Sequence, residues 1–88
     1  MNAALRLALI LSIAAETAAH QMSTRKANAR AFLSLSKRQR ELAKEYRAWA
    51  TEAAQLGLTD HQQHWAAEAR RLAGEAAWHL SKAAEETR

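Results

Sequence analysis

Between residues 26 and 56 the apolar and charged positions separate onto two sides of a helix. Phe32, Leu35, Leu42, Tyr46, Trp49, Ala53 and Leu56 form one stripe, and Lys26, Arg30, Lys37, Arg40, Lys44 and Arg47 form the other. At about 100° per residue the cations span roughly 100° of arc, centred nearly opposite the apolar stripe. One helix then has a face to bury and a face to present.

A second apolar stripe follows: Leu58, Trp65, Ala69, Leu72, Ala76, Leu80 and Ala83. Between the two stripes lies a helix-stop and helix-start signal. Gly57 supplies the positive φ that closes a helix, and Leu58 can fold back on the last turn. Thr59 then reads as an N-cap, with Gln62 three positions later completing a capping box. Asp60 places a negative charge in the first turn, which suits the helix dipole. The pattern predicts a tight antiparallel hairpin at 56–60. The sevenfold spacing of Leu35, Leu42, Trp49 and Leu56, and of Leu58, Trp65 and Leu72, predicts coiled-coil-like packing between the two stripes.

The first segment, Asn2 to about Gln21, has no polar side. Leu5, Leu7, Leu9, Ile10, Leu11 and Ile13 point in nearly every direction, interrupted by Arg6, Ser12 and Glu16. A helix that is apolar all round must be buried, paired with another copy, or placed in lipid. The boundary near residue 22 is weak, with Ser23 or Thr24 as the available cap. Two architectures follow for one helical domain over 1–88. A break there gives a three-helix bundle, with helices at about 2–21, 24–56 and 60–87. Without it, a helix of about 55 residues extends roughly 80 Å and leaves its apolar end overhanging. The bundle is the slightly favoured expectation, and self-association, most simply a homodimer, is expected in both.

Composition narrows the fold class to all-α. The 88 residues include 23 alanines, two glycines and no proline, and no useful length alternates as a strand does. Absence of cysteine excludes disulfides and thiolate chemistry. The net charge of +4 is concentrated: residues 25–47 hold eight Lys/Arg against Glu41 and Glu45. Such a local patch points to an anionic partner. Arg6, Leu7–Ala15 and Thr17-Ala18-Ala19 have the outline of an export signal. The apolar run is short for a membrane span and Glu16 spoils its extension. The first segment is therefore read as core or subunit interface and the protein as soluble and cytoplasmic.

Candidate chemistry is sparse. His61, His64 and Glu68 share an edge of the last helix, and Glu16/His20 and Glu75/His79 are i,i+4 pairs. A dinuclear carboxylate bundle needs Glu-x-x-His at i,i+3, so no metal or other cofactor is expected. Neither an activated serine nor a Gly-rich phosphate loop is present, which argues against an enzyme. Two apolar residues stand apart. Leu33 sits within the cationic stripe. Trp78 lies outside the main stripe, on the side of Ala67, Arg71 and Gly74, as a contact to the first helix or an exposed anchor. Gly74, costly in a helix, suggests a close approach there.

These features predict a small non-enzymatic interaction protein, a stoichiometric regulator, inhibitor or adaptor. Its cationic face would dock on an acidic or nucleic-acid-binding protein through Lys26, Arg30, Leu33, Lys37, Arg40, Lys44, Arg47 and Trp78. Alternatives are direct, non-sequence-specific DNA or RNA binding by the same face, and membrane association through the apolar N-terminal helix.

Overall fold

The computed structural model describes residues 3–88, which form two helices and no strand: α1, Ala3–Gln55, and α2, Thr59–Glu86. They fold back on each other as a rod of 82 × 16 × 13 Å. The long antiparallel hairpin is thus the architecture adopted.

The expected break near residue 22 does not occur, and one helix runs through both expected segments from Ala3 to Gln55, with Leu56 already in the turn. The reason is local. Neither Gly nor Pro interrupts the stretch, and Thr24 does not cap: its hydroxyl donates to the His20 carbonyl at 3.0 Å. Thr17 does the same to Ile13. A hydroxyl bonded four residues back is satisfied without ending the helix. Asn2, the expected start of the first helix, lies outside the described residues.

At the other boundary Gly57 takes φ +73°. Leu58 N–H donates to the Ala53 carbonyl at 2.8 Å, and Gly57 N–H to Ala54 at 3.1 Å. This is the paired bond pattern of a Schellman motif. The capping box does not form. Leu58 occupies the cap position, no side chain caps the helix, and Thr59 is already its first helical residue. Gln62 N–H bonds the Leu58 carbonyl at 2.9 Å instead.

The buried line differs from the large apolar stripe. On α1 it runs through Ala29, Ser36, Ala43 and Ala50, with Ala53. On α2 it runs through Ala69, Ala76 and Ala83, with Leu72. Both small-residue sets recur every seven positions, and half-buried Phe32, Gln39 and Tyr46 follow Ala29, Ser36 and Ala43 by three. Leu35, Trp49 and Leu56 are 42%, 44% and 67% exposed, and Leu58 and Leu80 are also exposed. Small side chains let the backbones approach closely and gain dispersion contacts along the whole line. The larger residues are left to flank the seam.

Candidate functional site

The shift of the seam repositions the cations. With sevenfold periodicity, the Ala29/Ser36/Ala43/Ala50 line lies about 80° from the centre of the cationic stripe, not opposite it. The stripe is therefore a flank of the hairpin, beside the helix–helix groove. Lys26, Arg30, Lys37, Arg40, Lys44 and Arg47 are all exposed there. None makes an ion pair within 4 Å among the described residues. Lys37, Arg40 and Lys44 border one shallow hollow with Glu41.

Leu33 belongs to this flank. It is 47% exposed and shares a hollow with Leu80, Ala83, Ala84 and Thr87 of α2. The row of cations thus has an apolar spot, built from both helices, near its middle. On α2 the same side carries Ala66, Ala73 and Leu80, seven apart and without charge.

Carboxylates gather on the opposite flank. Arg71 donates to Glu68 at 2.7 Å and to Glu75 at 2.6 Å. The hydrogen bond from Arg71 holds the Glu68 carboxyl below its ordinary value, and its two carboxylate partners push Arg71 upward. Lys82 pairs with Glu85 at 3.3 Å. Glu68 is therefore engaged chiefly by Arg71, with His64 acting on the same carboxyl more weakly.

Trp78 does not join the cationic site. At 100° per residue it lies about 160° around α2 from Leu80. Its ring meets Phe32 edge-on at 6.3 Å and His79 at 5.1 Å, and the Lys82 ammonium stands 5.2 Å from its centre. Its contact on α1 is Phe32, not the 2–21 segment that one reading expected, and it stays 54% exposed. Gly74 has nothing within 4 Å of a Cβ built on it, so no close approach among the described residues explains it.

Two features were not anticipated. Arg25 clamps the end of α2, donating to the Glu85 and Arg88 carbonyls, each at 3.1 Å, and lying 3.7 Å from the Glu86 carboxylate. Its long sequence separation hid that role. A polar relay crosses the seam: Gln39 donates to Glu75 at 2.9 Å and its carbonyl lies 2.8 Å from His79 Nδ1. Near the turn the two apolar stripes do meet as expected, where Tyr46, Trp49 and Trp65 cluster with ring centres 4.9–5.2 Å apart.

The remaining feature is the length of α1 beyond α2. Every described residue from 3 to 28 is exposed. By length and composition this part of α1 could cross a membrane, with an 18-residue window of mean hydropathy 1.3 that is 0% buried. No protein-family model matches the chain, and no curated protein or solved structure is significantly similar to it.

Proposed function

We propose that this chain is a non-enzymatic docking protein, a coiled-coil-like hairpin whose cationic flank receives an acidic helix of a partner protein. The observation that carries the reading is the separation of charge. The cations from Lys26 to Arg47 are exposed and unpaired, while Glu68, Glu75 and Glu85 are engaged across the rod. Unpaired cations along about 30 Å of helix attract an anionic partner and raise its association rate.

Leu33 and Leu80 favour a protein partner over a nucleic-acid backbone. Phosphate neutralisation needs no apolar contact, whereas a protein helix gains most from burying a residue at the centre of its interface. An acidic amphipathic helix could lie in the groove with a leucine on Leu33/Leu80 and carboxylates toward Lys37, Arg40 and Lys44. Trp78 stands apart from this interface.

The test uses fluorescence anisotropy with two probes, a synthetic Glu-rich helix carrying a leucine stripe and a duplex DNA. Replacing Lys37, Arg40 and Lys44 by Glu is expected to abolish peptide binding. Leu33→Ala should weaken the peptide by about tenfold, the order of one buried aliphatic side chain. Duplex affinity should not change in Leu33→Ala. Peptide binding unchanged by the triple reversal would sink the reading. Equal loss of both probes on charge reversal, with Leu33→Ala silent, would favour direct phosphate binding.

A further inference from the structure

The seam of α1 does not stop where α2 stops. Buried Ala29, Ser36, Ala43 and Ala50 are seven apart, and the same steps taken backward reach Met22, Ala15 and Ala8. The companion positions Phe32, Gln39, Tyr46 and Ala53 continue backward to Arg25, Ala18, Leu11 and Ala4. Two of these show that the line is real at the junction. Arg25 holds the end of α2, and Met22 lines a hollow there with Glu86, Thr87 and Arg88. Beyond it, two more sevenfold steps on the seam line, Ala15 and Ala8, and three on the companion line, Ala18, Leu11 and Ala4, are exposed, within the roughly 30 Å of helix from 3 to 22.

We propose that residues 3–22 pair antiparallel with the same segment of a second copy, extending the helix–helix seam through a twofold axis. In this pairing Ala8 lies opposite the partner's Ala18, Ala15 opposite the partner's Leu11, and Ala4 opposite the partner's Met22, each repeated by symmetry. The proposal rests on continuity and on length. An antiparallel partner segment runs in the direction of α2 and begins beside Met22–Ser23, just past Thr87 and Arg88, which follow the last helical residue Glu86. It therefore continues the line of α2 and fills the overhang from end to end. A parallel partner would instead be driven into α2.

Side-chain size supports the register. Ala8 and Ala15 are small, as Ala29, Ser36, Ala43 and Ala50 are within the hairpin, and the companion positions Ala4 and Ala18 are small too, with Leu11 the one large residue among them before Met22. Flanking Leu5 comes opposite the partner's Ala19, a large residue against a small one. The resulting rod is about 130 Å long and carries two cationic flanks. Lipid is the competing occupant, because Leu9, Ile10 and Ile13 remain outside the seam. Against it, Arg6 and Glu16 bracket only nine uncharged residues, about 14 Å of helix, where a bilayer core is about 30 Å thick.

The test exploits the absence of cysteine. Ser12→Cys, near the twofold axis, is expected to give a disulfide-linked dimer under mild oxidation. Ala4→Cys alone should not cross-link, whereas an equal mixture of Ala4→Cys and Met22→Cys chains should give the mixed dimer. Sedimentation of the cysteine-free chain should return twice 9.8 kDa. Ala8→Glu with Ala15→Glu should weaken dimerisation at least 100-fold, each charge entering twice. Helix content should be retained, because neither residue packs in the hairpin. A monomeric native chain, or a self-linked Ala4→Cys dimer, would overturn the proposal. So would a native chain that stays monomeric and co-floats with phosphatidylcholine/phosphatidylglycerol vesicles.

Discussion

The Ser36 hydroxyl donates to the Ala76 carbonyl across the seam at 2.8 Å, and Ser36 is fully buried. A small polar residue here fits between close backbones and satisfies its own hydroxyl. Ser36→Ala should cost about 0.5–1.5 kcal/mol, the net worth of one hydrogen bond. Ser36→Leu should cost more, about 1–3 kcal/mol from overpacking, and splay the helices. Urea unfolding followed by circular dichroism separates the two, and equal stability of Ser36→Leu and the native chain would contradict a small-residue seam.

The two glycines should respond in opposite directions. Gly57 sits at φ +73°, so Gly57→Ala should destabilise the hairpin by about 1 kcal/mol. Gly74 is helical with open space around it, so Gly74→Ala should stabilise by up to about 1 kcal/mol. Thermal unfolding of both variants checks the pair. A destabilised Gly74→Ala would reveal a close approach by another molecule at that face.

Arg25→Ala should release the last turn of α2. Three bonds or pairs are lost at an exposed position, so the global effect should stay within about 1 kcal/mol. Amide hydrogen exchange should accelerate in residues 83–88 while residues 60–72 keep their protection. Uniform acceleration along α2 would show that Arg25 supports more than this end.

Glu68 carries a pH signature. Its folded carboxyl is held below the ordinary 4.5, chiefly by the hydrogen bond from Arg71. A depressed acid stabilises the fold above the unfolded value, and that contribution disappears as pH falls through the folded value. Carboxyl carbon shifts followed by NMR should place Glu68 below 4.5 in the native chain and return it toward that value in Arg71→Gln. No movement in the variant would remove Arg71 as the cause.

Much of the hairpin was legible because its signals are local. Gly57 followed by Leu58 encodes the turn, and Ala69, Leu72, Ala76 and Ala83 mark the buried side of α2 correctly. The α1 seam was misread because weight was given to Leu35, Trp49 and Leu56, whereas close helix packing selects Ala29, Ser36, Ala43 and Ala50. Small residues are weak markers of burial in a chain with 23 alanines. That rotation also moved the cationic stripe from opposite the seam to beside it. The cation positions themselves were readable, since charge on an exposed helix face is set by periodicity alone. The missing break near residue 22 was a choice between weak caps and none, and threonine back-bonding let the helix continue. Arg25 and the Gln39 relay depend on partners at separations of 36–63 residues, which no local pattern announces.

The left-handed backbone at Gly57 also sets an order of events in time. Once Leu58 bonds Ala53, Tyr46 meets Trp65 by closing only a short further loop, and Ser36 then meets Ala76 on the same terms. Each step adds little entropy cost to the one before. The chain therefore closes like a zip from the turn outward, in the manner that makes locally connected helical folds fast. Arg25 and Glu86 engage last and part first, so the end that borders the overhang is the kinetically soft end of the rod.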